Sequence, residues 1–244
     1  MTFFSFSTSP FTLLAMVIVI VTFHHVLCEK ILLRYNLLSP QIVTFLATVG
    51  KTNNYFYSAA SGLMFLAGTV FLLPDILLHS LYFSCGLISP RHEWLLELYF
   101  WSKLWEGLWD LSIVTLRGFP IHIHFRLHHY STPIFAWLGL VTRSTHGAVF
   151  LLLNTFMHLM VYAFHGGFQP PWLKSAVRGF QWVQLGGGML VSGVSYLQED
   201  RCGVLPPYDV VHTVVPGGLY ALYLVLFQFE LRDERKMMTM KSKK

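Results

Sequence analysis

The sequence predicts an all-α membrane protein with seven helices that cross the bilayer. Three observations support this fold class. Apolar residues make up 54% of the 244 residues and charged residues only 12%, about half of the charged share in a typical soluble domain. Apolar stretches of about 20 residues, the length that spans a bilayer, recur along the chain. The lysines and arginines fall mainly on one side of the resulting topology.

The seven predicted spans follow these apolar stretches. They cover residues 10–28, 54–78, 94–116, 127–142, 144–168, 172–198 and 208–229. The first lacks the basic start and the cleavage site of a signal peptide, so we expect a retained signal-anchor. Residues 36–50 are apolar but short and contain Pro40, and we place them at the membrane interface or as the approach to the second span. No linker divides residues 1–244, which predicts a single membrane domain.

The loop charges predict the orientation. Thirteen of the 17 lysines and arginines lie on the side of the C-terminus, six of them in the basic tail, residues 230–244. Arg91, Arg143 and Arg201 lie on the other side, and Lys103 lies within a span. Because positively charged loops stay in the cytosol, the tail is predicted to be cytosolic. The basic residues do not form a compact domain, so no nucleic-acid partner is predicted.

Ionisable side chains recur inside the predicted spans, where they are costly and usually mark function. Lys103, Glu106 and Asp110 follow one another at i, i+3 and i+7, which places them on one face of a helix. This stripe predicts part of a functional site. A purely structural network of ion pairs between helices is the alternative.

A group of histidines begins the fourth span. His124 and His128 are four residues apart and share a helix face, whereas His129 turns about 100° away from them. Such a group can bind a metal, transfer protons, or act as nucleophile and base. Its position beside Arg126 favours a functional site over a buried structural histidine.

The fifth and sixth spans carry further polar side chains. The fifth has a stripe of four polar residues at helical spacing, namely Asn154, His158, Tyr162 and His165. The sixth has two glutamines three residues apart, Gln181 and Gln184. Hydrogen bonds from Asn154 and Tyr162 could fix the tautomers of the imidazoles. Polar contacts that hold helices together are the alternative. Gly186 to Gly188 are predicted to permit close helix contact or a kink.

These segments resemble, in order, the four sequence boxes of the ELO family of very-long-chain fatty acid elongases. The family boxes are K-x-x-E-x-x-D-T, H-x-x-H-H, N-x-x-x-H-x-x-M-Y-x-Y-Y and T-x-x-Q-x-x-Q, and the resemblance is best over residues 80–200. Two shifts mark a divergent member. Asp110 comes one residue late, with Trp109 in the expected place, and His124 comes one residue early, with Phe125 in its place.

The resemblance implies a fold and an activity. ELO enzymes are seven-helix barrels around a narrow acyl tunnel, and they act as 3-ketoacyl-CoA synthases. They join acyl-CoA to malonyl-CoA, release CO2 and CoA, and lengthen the chain by two carbons. The resemblance therefore implies these two substrates, no cofactor or metal, and residence in the endoplasmic reticulum membrane. It also implies the lipid bilayer, other enzymes of the elongation cycle and a second copy of the chain as partners.

The resemblance also implies roles for individual residues. His128 is the expected nucleophile that holds the acyl group, with His158 as its partner across the tunnel. His129 and His124 would orient groups or exchange protons, while Glu106 and Asp110 set the basicity of the histidines and Lys103 balances their charge. The remaining expected contacts to substrate are Asn154, Tyr162, Gln181 and Gln184 at the reacting groups, and Arg117, Arg126, Lys174 and Arg178 at the CoA phosphates.

Two other function classes stay open. The spacing H124-x-x-x-H128-H129 also fits a histidine box of membrane di-iron desaturases and hydroxylases, but only one such box exists, and two irons need more ligands. A seven-helix transporter or receptor is the non-enzymatic alternative. A transporter or receptor function would not explain why ionisable side chains form stripes on adjacent helices. The chain also shows no inverted hydropathy repeat, which many transporters have.

Overall fold

The computed structural model describes residue 15 and residues 18–20, 22–33, 38–78, 88–117, 121–197 and 208–241. In these ranges every regular element is a helix, which confirms the all-α class. The eight α-helices are α1 (Pro40–Phe71), α2 (Leu73–Leu78), α3 (Glu93–Trp105), α4 (Leu111–Leu116), α5 (Ile123–Thr142), α6 (Thr145–Gly166), α7 (Leu173–Leu197) and α8 (Tyr208–Lys241). Two π-helical segments, Thr22–Leu33 and Glu106–Asp110, and the 3-10 turn Pro90–His92 complete the described elements.

Helix α1 begins fourteen residues before the predicted start of the second span at residue 54. Ser39 caps it by accepting a hydrogen bond from the backbone N–H of Ile42 at 3.4 Å, and Pro40 occupies the first turn, where its missing N–H is not needed. The helix continues unbroken through the polar residues 51–54. Residues 40–50 are therefore the approach to this span, one of the two positions that the sequence left open.

Helices α1 and α6 pack against each other along their polar faces. Ser58 on α1 donates a hydrogen bond of 2.8 Å to the backbone carbonyl of Leu159, and Tyr57 stacks on Tyr162 with 4.7 Å between ring centroids. Side-chain hydrogen bonds and small residues are the usual means by which helices associate inside a bilayer. This pairing fixes the position of α6, which carries half of the candidate site.

Helices α5 and α6 form a tight hairpin. Arg143 takes the left-handed conformation with φ 50° at the turn, and Ser144 caps α6 by accepting from the N–H of Gly147 at 3.1 Å. A β-carbon on Gly147 would lie 2.8 Å from the α-carbon of Gly139, so glycine is needed at this crossing. The close approach brings the inner faces of the two helices together.

One end of the bundle collects positive charge, and we call it the basic end. It comprises the end of α4, the starts of α5 and α7 and the end of α6, with Arg117, Arg126, Lys174 and Arg178. Lys51 on α1 lies there too, since a β-carbon on Gly167 at the end of α6 would be 3.8 Å from its Nζ. At the opposite end Arg143 pairs with Glu93 at 2.8 Å.

Two helices are long and apolar enough to cross a bilayer on their own, within the part of the chain that the structure describes. They are Thr145–Gly166 and the portion Val214–Arg232 of α8. Helices α1, α5 and α7 are long enough but carry more polar residues, and the predicted span 94–116 is divided by the π-helical segment. The start of the predicted span 10–28 lies outside the described residues. The count of seven spans thus remains a prediction.

The outer surface of the bundle is apolar. On α1 the side chains of Phe56, Leu63, Leu66 and Val70 are each more than 60% exposed and lie along one face of the helix. Soluble monomers rarely expose contiguous apolar stripes of this kind. The stripe is consistent with a helix that faces lipid.

Candidate active site

A buried acid and a buried lysine form the base of the site. Lys103 at the end of α3 is 1% exposed, and its Nζ donates a short hydrogen bond to Oε1 of Glu106, which is fully buried. The same oxygen of Glu106 lies 3.3 Å from Nδ1 of His158 on α6. The second carboxylate oxygen, Oε2, has no hydrogen-bond partner among the described residues. One carboxylate therefore joins a lysine and a histidine from two different helices.

The segment Glu106–Asp110 is wound as a π-helix between α3 and α4. The backbone N–H of Leu111 donates to the carbonyl of Glu106, five residues back instead of four. A π turn contains one residue more than an α turn, so it absorbs a single insertion without changing the direction of the flanking helices. Asp110 consequently stays inside the bundle, 6% exposed, where Tyr162 donates a hydrogen bond of 3.0 Å to its carboxylate.

This π turn accounts for the late position of Asp110 in its sequence box. Trp109, which occupies the expected place of the acid, is 37% exposed and stacks on Trp105 at the bundle surface. Gly107, in the same turn, lies so close to α5 that a β-carbon would be 3.0 Å from the backbone oxygen of His129. The turn thus moves the extra residue outward and keeps both acids on the inner face.

Deleting Trp109 is expected to be tolerated, because the deletion converts the π turn into a regular α turn with Asp110 still facing inward. Deleting Trp101, which is 40% exposed on α3, shifts the inner face by one residue, or about 100° of helix rotation. Thermal unfolding in detergent should give a near-native midpoint for the first variant and no cooperative transition for the second. Equal damage from both deletions would contradict a π turn formed by one extra residue.

Helix α5 brings three histidines to the cluster. His128 and His129 have ring centroids 5.5 Å apart with perpendicular planes, and His128 lies 6.2 Å from His158. His129 is 2% exposed and stacks on Phe125 at 4.2 Å. His128 and His158 therefore face each other across the gap between α5 and α6.

His124 faces α8 and does not join the carboxylate of Glu106. Its Nδ1 lies 3.5 Å from Oε2 of Glu230, and its ring lies 5.7 Å from Tyr223 and 6.4 Å from His128. The regular α-helix explains this direction, since the early position rotates the side chain away from the place that Phe125 fills. His124 thus shares a face with His128, as predicted, but approaches it from the side of α8.

The predicted stripe on α6 is buried at three of its four positions. Asn154, His158 and Tyr162 are 2%, 7% and 4% exposed. His165, the fourth position of the stripe, lies in the last turn of α6, where its side chain is exposed.

A narrow cavity lies beside His128, between α3, α5, α6 and α8. Asn154 and His128 line it together with tyrosines and apolar side chains, and it extends along α5 as far as the Gly139–Gly147 crossing. The lining residues are Leu96, Tyr99, His128, Thr132, Phe135, Ala136, Gly139, Gly147, Phe150, Asn154, Tyr220 and Tyr223. From His128 to Gly139 the helix rises about 16 Å. The space between these side chains is about 10 Å³, roughly the room of one water molecule, so they would have to move apart to admit an acyl chain.

The predicted glutamines and basic residues do not line the pocket beside His128. Gln184 on α7 is buried, Gln181 is half-buried, and Arg117, Arg126, Lys174 and Arg178 are partly or fully exposed at the basic end. Of the three glycines that follow, Gly188 makes the predicted close contact, because a β-carbon there would lie 2.8 Å from the ring of Tyr220. A β-carbon on Gly186 would have no neighbour within 4 Å among the described residues.

Several residues of the site carry no signal in the sequence boxes. Tyr57 donates a hydrogen bond of 2.5 Å to the backbone carbonyl of Ser102, and Tyr223 binds Ser131 through its hydroxyl and packs on His128 at 5.7 Å. His24, which is fully buried, contacts the hydroxyls of Tyr130 at 2.6 Å and Thr115 at 2.7 Å. The packing of distant segments reveals these residues. For Tyr57 alone, its helical spacing from the polar residues Asn53 and Asn54 could have indicated an inward-facing side chain.

The groups that converge are histidines and two carboxylates, Glu106 beside His158 and Asp110 beside Tyr162. In the described part of the chain, no three side chains of histidine, cysteine, aspartate or glutamate are arranged to hold a metal ion. Paired histidines near a buried carboxylate can transfer protons and act as nucleophile and base.

Comparison with known families gives one result. The model of the ELO family, described as the GNS1/SUR4 family, matches residues 4–231, nearly the whole chain. Neither the curated proteins nor the solved structures gave a match.

Proposed function

The chain belongs to the ELO family, the GNS1/SUR4 family, and from this premise we propose that it is a fatty acid elongase that condenses acyl-CoA with malonyl-CoA. Members of this family elongate fatty acids in membranes, and the apolar helices Thr145–Gly166 and Val214–Arg232 agree with a membrane protein. The proposed activity is that of a very-long-chain 3-oxoacyl-CoA synthase, an acyltransferase.

One observation carries the proposal: His128 and His158 face each other, His128 lies at a small pocket with a mostly apolar lining, and Glu106 lies behind His158. Nδ1 of His158 lies 3.3 Å from Oε1 of Glu106, outside hydrogen-bond geometry in this structure, and the nearby negative charge favours the tautomer that carries its hydrogen on Nδ1. The other nitrogen, Nε2, is then free to accept a proton or to attack a carbonyl carbon. A purely structural ion pair would need no cavity at its side.

In the proposed mechanism His128 attacks the thioester carbon of acyl-CoA. The C–S bond breaks, CoA leaves as a thiolate, and the acyl group stays on the imidazole. Malonyl-CoA then loses CO2, and the resulting enolate attacks the acyl carbon and releases His128. His158, oriented by Glu106, is the nearest imidazole to exchange a proton with these groups.

The surrounding polar groups support this chemistry. Asn154 lines the pocket next to His128, and its Nδ2–H group is the part of the amide that could donate to a developing oxyanion. Tyr162 and Asp110 hold α6 and the π turn together behind the imidazoles. Gln181 and Gln184 are proposed as further donors.

The basic end is proposed as the entrance for CoA. Arg117, Arg126, Lys174 and Arg178 gather at the end of the bundle nearest to His124, and phosphate groups bind readily to such clusters. The loop charges favour the cytosolic side for this end. We further propose seven spans in the endoplasmic reticulum membrane, with the cavity serving as the acyl tunnel.

Purified protein in detergent, incubated with malonyl-CoA and saturated acyl-CoAs of increasing length, tests the function. The proposal predicts a 3-ketoacyl-CoA that contains two more carbons than the acyl-CoA supplied, identified by mass spectrometry. No extension of any acyl-CoA by folded protein would contradict it. Near-stoichiometric iron in the same preparation would instead favour an iron-dependent desaturase or hydroxylase.

A further inference from the structure

A carboxylate and a histidine meet where the cavity approaches the basic end. Glu230 on α8 has 29% of its side chain exposed, and its Oε2 lies 3.5 Å from Nδ1 of His124. The other ring nitrogen of His124, Nε2, is buried and has no hydrogen-bond partner among the described residues. Because the carboxylate only accepts, Nδ1 carries a hydrogen directed at Glu230. The pair therefore leaves Nε2 as the nitrogen that can serve another group.

The surroundings hold this pair beside the reacting histidine. The ring of His124 contacts Tyr223 at 5.7 Å and Phe227 at 6.0 Å, and it lies 6.4 Å from the ring of His128. The other charged or titratable groups that face the pair are His122 and His128 from α5, Tyr223 from α8 and Arg178 from α7. Among the described residues that face one another here, Glu230 is the one carboxylate.

The proposed condensation consumes one proton. Acyl-CoA and the malonyl-CoA carboxylate give a neutral ketoacyl product, CO2 and a CoA thiolate, and the thiolate must be protonated to leave as a thiol. His124 precedes His128 by four residues, or about 6 Å along α5 toward the basic end. A thiolate that leaves His128 toward that end therefore passes His124.

We propose that His124 protonates the departing CoA thiolate and that Glu230 is the positioning residue that holds the ring of His124 by accepting the hydrogen of its Nδ1. This inference rests on the proposed elongase function. The Nε2–H bond of the imidazolium breaks and an S–H bond forms, while Nδ1–H stays bound to the carboxylate of Glu230. His124 becomes neutral, and water at the basic end returns a proton to it after the products leave.

The pH dependence of Glu230→Gln tests this assignment. Glutamine can still accept the hydrogen bond from Nδ1 but carries no negative charge, so the positive charge on His124 when it acts as the acid loses its partner. The elongation rate should fall roughly tenfold at pH 8 and less than about twofold at pH 6, which moves the alkaline limb of the kcat profile to lower pH. Glu230→Asp should restore most of the rate at pH 8, because the charge returns.

Glu97→Gln is the matched control, since Glu97 is a half-buried carboxylate on α3 toward the opposite end of the bundle. It should leave the pH profile unchanged. Thermal unfolding of each variant separates a folding defect from a change in rate.

Mixing the enzyme with acyl-CoA alone isolates the step in which CoA leaves. The rate of CoA release in this experiment should be lower for Glu230→Gln than for wild type at pH 8. If the wild-type enzyme is active and Glu230→Gln shows the same pH profile, the inference is overturned and the elongase function stands. A wild-type protein that extends no acyl-CoA would overturn the proposed function itself.

Discussion

Replacing His128 by alanine is expected to abolish elongation and leave the protein folded. His128 lies beside the cavity and faces His158 at 6.2 Å, so it is the imidazole best placed to take the acyl group. Loss of a nucleophile that forms a covalent intermediate lowers kcat by about 10³-fold or more. The side chain is half-buried and forms no ion pair among the described residues, so the truncation should cost little stability. Product formation from acyl-CoA and malonyl-CoA measures the effect.

His165→Ala is the control for this variant. His165 is an exposed histidine on α6, outside the cluster, and its removal should leave the rate within about twofold of wild type. Elongation by His128→Ala at more than about a tenth of the wild-type rate would show that another group accepts the acyl chain. The mechanism would then need a different nucleophile.

Replacing Glu106 by leucine is expected to prevent stable folding, and a second substitution should reverse that defect. The single variant leaves Lys103, which is 1% exposed, as a buried charge without its carboxylate. Breaking a buried ion pair in this way costs about 3–5 kcal/mol, whereas replacing both partners by apolar residues is often neutral. The yield and unfolding midpoint of detergent-purified protein should therefore be low for Glu106→Leu and near wild type for Lys103→Met combined with Glu106→Leu.

The double variant also separates stability from chemistry. It should fold but elongate at least about 100-fold more slowly than wild type, because His158 no longer faces a carboxylate. A double variant with wild-type activity would mean that the pair serves only to join helices. A single variant that folds normally would mean that Lys103 finds another partner.

The sequence predicted the helices well and their limits less well. Helix α6 begins and ends within two residues of the predicted span 144–168. Its ends are set locally, since Ser144 and Gly167 cap it. Helix α1 begins fourteen residues before the predicted span 54–78, because the polar residues 51–54 continue the helix from the segment that the sequence placed before the span. Their side chains face other helices or bond back to the backbone, as Thr52 does to the carbonyl of Thr48 at 3.2 Å.

The site could be predicted in part. Spacing alone indicated that Lys103 and Glu106 share a face, and the structure joins them. The spacing of Asp110 looked like a departure from the family because a sequence does not reveal a π turn. Glu230 could not be predicted as a neighbour of His124, because 106 residues separate them and only the packing of α8 on α5 brings them together.

Release of CO2 from malonyl-CoA labelled at its carboxyl carbon tests the central claim most directly. The account predicts that folded protein releases labelled CO2 only when an acyl-CoA is present, in amounts equal to the free CoA and to the ketoacyl product. It also predicts that His128→Ala releases none above background. Labelled CO2 that does not depend on acyl-CoA, or no release by folded wild-type protein with any acyl-CoA, would contradict a condensation at this site.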